Sequence, residues 1–268
     1  MSKVADDIDF AESGEGLAVL FVPGSFGTGA AWRSIIGEIG VRYRCVTTSL
    51  LGYGATAERR PPGNATMTQQ TAVLDAIVER IGAPVHVVAH SFGGLSALAH
   101  LMEGRHKPAS LVLVEANPLA ILRTAGDEAH YRMFEAMTSR YFAEFEAGRS
   151  DAARRVVDFY EGDGSFDAFP PKVRDYVVAT TASNVRDWSS GTPFAPTLET
   201  YATISIPTHI VRGQDSHPAM VRIAELLAGH IPNASITTVR GGRHFLPATH
   251  AAELANLIDT HLQSVVAG

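Results

Sequence analysis

The stretch Val87-Val88-Ala89-His90-Ser91-Phe92-Gly93-Gly94 decides how the rest of the chain is read. β-branched residues run into a serine, and two glycines follow where a helix-period segment begins. A strand that turns abruptly into a helix strains the residue at the turn. Small neighbours are then needed so that the helix can pack against the strand end. The pattern is small-x-Ser-x-Gly, with Ala89 in the first small position. The plain reading is a strand-to-helix turn with Ser91 as the helix N-cap. The chemical reading is a presented nucleophile, and the choice between them depends on what other groups can reach the serine.

Outward from this turn, short β-rich runs recur: "LAVLFV" at 17–22, "RCVTTSL" at 44–50, "PVHVVAH" at 84–90, "SLVLVEA" at 110–116, "PTHIVRG" at 207–213 and "SITTV" at 235–239. They are too continuously apolar for half-exposed strands, which implies a parallel sheet covered on both faces. Helix-period segments lie between them. Residues 68–82 set Val73, Ile77 and Ile81 on one stripe and stop at Gly82, and residues 92–103 carry Leu95, Leu98, Leu101 and Met102 on one face. Residues 218–229 and 248–263 read the same way. Alternating β and α predicts an α/β fold with a doubly wound, mostly parallel sheet, whose ligands bind beyond the carboxyl ends of the strands.

One interval breaks the alternation. Residues 117–196 offer helices but no strand, and they hold 12 of the 21 aromatic residues. They are expected to form a helical cap inserted in a core made of residues 1–116 and 197–268. The plain alternative is a helical subdomain with its own small core, and the two are compatible.

Composition excludes several classes of function. The 268 residues are 46% hydrophobic and carry a formal net charge of −6, with no repeat or low-complexity segment. That balance argues against nucleic acid as a partner, since phosphate contacts need clustered Lys and Arg. The acidic start "MSKVADDIDFAESGEG" lacks the basic flank and apolar run of a signal peptide. No run approaches the roughly 20 apolar residues of a membrane span, so a cytoplasmic protein is expected. Cys45 is the sole cysteine, which rules out an intrachain disulfide and a Cys-based zinc site, and its strand-like surroundings predict a buried, inert thiol. The glycines at 24–29 lack the spacing and downstream acid of a dinucleotide fingerprint, so neither a metal nor an organic cofactor is expected.

A serine hydroxyl needs a base within hydrogen-bond reach, and the base needs an orienting acid. In a doubly wound sheet both should lie just past strand ends. Asp215 follows the strand in "THIVRGQDSHPAM", and His244 lies in the loop after the last strand, in "SITTVRGGRHFLPATH". The chain order is Ser91, Asp215, His244. Other histidines fit the base role less well. His90 should point away from its neighbour, His230, His250 and His261 belong to helices or their ends, and His217 is the nearest rival.

With "AHSFGG", "PTHIVRGQDS" and "GGRHFLPATH" in this order, and an apolar strand leading into "PGSFGTGAAW", the chain resembles the α/β-hydrolase superfamily over nearly its whole length. The resemblance implies a catalytic set of Ser91, His244 and Asp215. Some members take the acid from an earlier strand, which makes Glu115, at the end of "LVLVE", the alternative acid; the loop "RGQDS" resembles the commoner position more closely. The resemblance also implies an oxyanion hole built from the backbone N–H groups of Phe92 and Ser25. Many relatives read His-Gly where this chain has Pro23-Gly24, placed here by its distance to Trp32, and the Ser25 hydroxyl is a candidate extra donor.

These residues point to a serine hydrolase acting on a carboxylic ester or lactone. Carbon–carbon bond hydrolysis, cofactor-free haloperoxidase or perhydrolase activity, hydroxynitrile cleavage and a receptor with a nearly silent triad stay open, because fold does not fix chemistry. The cap aromatics predict an apolar pocket for a neutral small molecule, with Phe26, Tyr131, Phe134 and Trp188 as substrate-binding candidates. Arg123 and Arg186 are the possible counter-ions if the substrate is instead an acid. Oligomeric state is not legible.

Overall fold

Residues with branched or aromatic side chains on both faces form the central strands, because each face is covered by helices and every position loses contact with water. A computed structural model describes residues 7–39 and 42–267. The acidic N-terminal stretch lies partly outside the described residues. Seven strands, β1 (Phe10–Ser13), β2 (Leu17–Val22), β3 (Tyr43–Thr48), β4 (Val85–His90), β5 (Ser110–Val114), β6 (Thr208–Gly213) and β7 (Ala234–Val239), form one sheet in the order β1-β3-β2-β4-β5-β6-β7. All neighbours are parallel except β1 against β3.

Thirteen α-helices join them among the described residues. Through β5 these are α1 (Arg33–Ile39), α2 (Met67–Ile81) and α3 (Phe92–Glu103). Between β5 and β6 the chain forms α4 (Ala120–Thr124), α5 (Glu128–Glu146), α6 (Arg154–Glu161), α7 (Ser165–Ala168), α8 (Pro171–Ala179), α9 (Thr181–Gly191) and α10 (Leu198–Ala202). The remainder are α11 (Pro218–His230), α12 (Leu246–Thr249) and α13 (Ala251–Ala267).

Alternate strand residues serve the two faces. Val19, Phe21, Val88, Val112 and Val211 pack with Trp32, Ile35, Leu254 and Ile258 under α1 and α13. Leu20, Val22, Val87, Ala89, Leu111 and Leu113 pack with residues of α2, α3 and α11. That second core runs on without a break into Phe134, Tyr141, Val157 and Trp188 of the helices between β5 and β6. Cys45 is buried, and burial pushes its thiol up to about 11, which leaves it protonated and unreactive.

Two edges depart from the sequence reading. Strand β1 has one half-buried and three exposed residues, so no apolar pattern announces it; it exists because it pairs with β3. Strand β7 was expected to be covered on both faces, yet it is largely exposed, with Ile236 at 42%, because it has β6 on one side only. Helix α2 ends as expected at Gly82, whose φ of 67° suits glycine.

No helix among the described residues is long and apolar enough to cross a membrane. No cluster of three or more His, Cys, Asp or Glu side chains suited to a metal ion occurs among them either.

Candidate active site

Strand β4 ends at His90 and α3 begins at Phe92, which leaves Ser91 alone at the turn with φ 53° and ψ −123°. A side chain rarely adopts positive φ, and a non-glycine residue held there costs roughly 1–3 kcal/mol. The Ser91 N–H donates to Val114 O across the sheet. Its side chain does not cap α3. Instead Ser91 Oγ donates to His244 Nε2 at 2.8 Å, which removes the N-cap reading.

The turn requires glycine at two places. A Cβ on Gly93 would run into the carbonyl oxygens of Pro23 and Val22, so glycine lets the start of α3 abut the end of β2. A Cβ on Gly24 would stand 2.8 Å from Ser91 Cβ and 2.9 Å from His90 Nδ1. The loop from β2 therefore passes directly against the serine, with backbone where other residues would put a side chain.

His244 lies in the loop between β7 and α12, fully enclosed. Its Nδ1 meets Glu115 Oε2 at 3.2 Å. The sequence reading preferred Asp215 for this contact, and the structure assigns it to Glu115. Asp215 is exposed, and its backbone N–H donates to Gly242 O. The physical cause is the direction of the loop after β6. It turns Ser216 inward rather than Asp215, and Ser216 Oγ donates to Glu115 Oε1 at 2.7 Å while the Gly213 N–H donates to the same oxygen at 2.8 Å. The "RGQDS" loop thus contributes two hydrogen-bond donors and no acid.

Burial pushes the His244 imidazolium below its ordinary range, so the ring is a neutral base at neutral pH. Burial also raises the Glu115 carboxyl to about 7, against the Ser216 and Gly213 hydrogen bonds that favour the carboxylate. Tyr160, on α6, lies flat on the His244 ring with centroids 3.9 Å apart and planes 8° apart. A π face in that position fixes the ring and attracts the imidazolium that forms when it takes a proton. His90 Nε2 donates to His244 O at 2.8 Å, so the histidine beside Ser91 braces the loop that carries His244. His217 stacks on Phe159 at 4.0 Å and accepts from the Ala219 N–H at the start of α11, away from the serine.

Phe26, Ser91 and Glu115 are the non-glycine residues with positive φ among the described residues. All three belong to this one site. Strain concentrated in this way marks a place where geometry is held against local preference.

The N–H of Phe92 heads α3, where the first amides of a helix have no partner within it. The Ser25 side chain behaves differently from expectation. Its hydroxyl donates to Asp187 Oδ2 at 2.6 Å and is therefore committed away from Ser91. Asp187 also accepts from Tyr53 OH at 2.6 Å and from Arg60 Nη1 at 2.6 Å. Arg60 is wholly buried and pairs with Glu58 as well, at 2.7 Å. A charge removed from water is tolerated only when paired and hydrogen-bonded, and this cluster meets that condition while tying α9 to the loop after β2.

Two neighbouring spaces lie at the site, the inner one against Ser91. The inner one, about 30 Å³, is walled by Ser91, Leu95, Leu119, Val156, Trp188 and His244 among others. The outer one, about 470 Å³, is lined by Phe169, Val173, Val177, Pro247 and neighbours, and the two share Ser25, Phe26, Val157 and Phe245. Of the expected substrate-binding residues, Phe26 lines both spaces and Trp188 the inner one. Tyr131 and Phe134 line neither: Phe134 is fully buried behind the wall against Trp188 and Tyr160, and Tyr131 lies under the Arg123 guanidinium. The residues that sequence reasoning missed are Asn117, Tyr160, Asn184, Asp187 and Ser216. Asn117 and Ser216 carried a signal, since they lie just past the ends of β5 and β6.

Comparison with known proteins agrees with this architecture. Solved structures with the same fold include MenH from S. aureus, with a TM-score of 0.78 at 18% identity over 97% of this chain and 98% of that one. A thermophilic esterase from Thermogutta terrifontis gives 0.75 at 21% identity over 96% and 93%. A bromoperoxidase from Bacillus anthracis gives 0.71 at 22% over 96% and 95%. A search of curated proteins finds no sequence match. At these identities the structures establish the fold and leave the activity open. Residues 19–257 match the alpha/beta hydrolase family, which together with the seven-stranded sheet and the serine turn makes the chain a member of that family.

Proposed function

We propose that the protein hydrolyses a neutral carboxylic ester or lactone through an acyl-enzyme on Ser91. The observation that carries the reading is the relay from Ser91 Oγ through His244 to Glu115, on a serine held at φ 53°. Ser91 Oγ attacks the acyl carbon as His244 Nε2 takes its proton, and Glu115 Oε2 accepts from Nδ1–H and stabilises the imidazolium. The oxyanion is held by the N–H groups of Phe92 and Ser25. The Asp187 contact with the Ser25 hydroxyl fixes the loop that presents the second of these. His244 then returns the proton to the leaving alkoxide. A water activated by the same base releases the acid.

Charge in the two spaces supports a neutral substrate. Neither wall contains a Lys or Arg; their ionisable members are Tyr160, Asp187 and His244 inside, and His90 and Glu161 outside. Arg186 donates to Ala182 O and Arg123 covers Tyr131, so neither candidate counter-ion faces the serine. An anionic group would be desolvated there without a partner. The acyl part is assigned to the small inner space and the alcohol part to the wider apolar one.

The test is a panel of matched p-nitrophenyl esters and lactones. Neutral members are expected to turn over with kcat/KM at least about 10² above carboxylate-bearing analogues, and Ser91→Ala is expected to reduce turnover by about 10³–10⁶. Turnover that favours the anionic member of each pair would overturn the neutral-substrate reading. Full turnover by Ser91→Ala would remove the acyl-enzyme.

A further inference from the structure

The two spaces beside the serine turn differ in size, about 30 Å³ inside against about 470 Å³ outside, and their walls are held in different ways. Helix α9 carries part of the inner wall, and seven of its eleven residues are buried. Asp187 fastens that helix to the core. One carboxylate oxygen takes the Arg60 guanidinium and the other takes the Tyr53 and Ser25 hydroxyls, while Arg60 also donates to Ser183 O, one turn earlier on α9, at 3.3 Å. At the end of the helix a Cβ on Gly191 would stand 2.8 Å from Leu95 Cδ2 and 3.1 Å from Phe92 Cε2, so α9 already touches the first turn of α3. Trp188 lies between these two fixed points with Phe134 packed behind it, and Tyr160, flat on His244, also lines the inner space.

The outer wall is built from a different kind of helix. Phe169, Pro170, Val173 and Val177 come from α8 and the turn before it, and of the nine residues of α8 only Val177 is buried, with Val173 42% exposed. Widening the inner space would draw Asp187 away from Arg60 and leave two buried charges unpaired, a costly change. Shifting α8 disturbs little buried apolar surface, and segments of that kind open most easily. The inner space is therefore a fixed limit and the outer one an adaptable receptacle.

Resting on the acyl-enzyme reading above, we infer that the substrate is an ester of a short acyl group, about two to four carbons long, with a bulky apolar alcohol, and that α9 sets the acyl limit. A space of about 30 Å³ holds about two water-sized groups, which suits a few carbons and excludes a long alkyl tail. The acyl carbon bonded to Ser91 Oγ extends between Leu95, Leu119 and Trp188. The leaving oxygen takes its proton from His244, and the residues that follow His244 in the chain, Phe245 and Pro247, line the outer space, so the alcohol lies on that side. Apolar walls there reward each added methylene of the alcohol.

The experiment uses two ester series on the whole protein. In p-nitrophenyl esters from acetate to octanoate the leaving group is constant, and kcat/KM is expected to be at least about tenfold lower for octanoate than for butyrate. In acetates of primary alcohols from ethyl to hexyl the acyl group is constant, and kcat/KM is expected to rise by at least about tenfold. Val173→Trp, at an exposed position of the outer wall, should reduce the hexyl-to-ethyl ratio several-fold and leave the octanoate-to-butyrate ratio unchanged. Leu119→Ala, on the inner wall, should raise the octanoate-to-butyrate ratio several-fold and leave the alcohol series unchanged. Octanoate turned over as well as butyrate, no gain from ethyl to hexyl acetate, or the two variants each moving the opposite series would overturn the inference while leaving ester hydrolysis standing. Absence of hydrolysis of every ester, together with no fluorophosphonate adduct on Ser91, would overturn the acyl-enzyme reading itself.

Discussion

The loop after β5 and the loop after β6 each place a carboxylate just beyond a strand, and they use it in opposite ways. Glu115 continues β5 by one residue, is 3% exposed and holds φ 48°, and its two oxygens are occupied by Gly213 N–H and Ser216 on one side and His244 on the other. Asp215 stands in the solvent two residues past β6. The second loop serves the first, since its inward-facing serine and the last amide of its strand hold the carboxylate that comes from the neighbouring strand. Position past a strand end brings a residue to the site. The turn that follows decides which residue of the loop faces inward.

This contrast leads first to a large expected difference in rate. Glu115→Gln should lower kcat by about 10⁴ on any ester the protein turns over, the loss seen when the orienting carboxylate of a serine hydrolase is neutralised. Asp215→Asn should stay within about threefold of wild type, as exposed substitutions usually do. Comparable losses in both would mean that the second loop contributes charge as well as hydrogen bonds. A smaller effect is expected at Ser216. Ser216→Ala removes one of the two donors to Glu115 Oε1 and leaves the Gly213 amide in place, so kcat should fall by about tenfold with KM little changed. A KM effect without a kcat effect would show that Ser216 shapes the pocket rather than the carboxylate.

The same contrast explains what was readable from residues alone. Strands β2, β4 and β6 announced themselves through unbroken apolar runs, and the Ser91 turn through its small neighbours, because both are properties of consecutive residues. His244 was found because it follows the last strand of a parallel sheet. The choice between Glu115 and Asp215 turned on backbone direction within a four-residue loop, and no periodicity encodes that. Tyr160, Asn184 and Asp187 were hidden for another reason. They come from α6 and α9, whose place over the sheet is set by packing against Phe134 and Leu95 rather than by any pattern linking them to Ser91. Tyr131 and Phe134 were overread because an aromatic on the inner side of a helix is as well served by a core as by a cavity, and here the core takes them.

The most direct test uses a reagent that needs no knowledge of the natural substrate. Intact-mass measurement of fluorophosphonate labelling reads the reactivity of Ser91 itself. Wild type and Asp215→Asn are expected to take up one equivalent at rates within a few-fold of each other, Glu115→Gln to label at least about 10² more slowly, and Ser91→Ala not to label. Rapid labelling of Glu115→Gln with loss of labelling in Asp215→Asn, or an adduct on Ser91→Ala, would contradict the relay from Ser91 through His244 to Glu115.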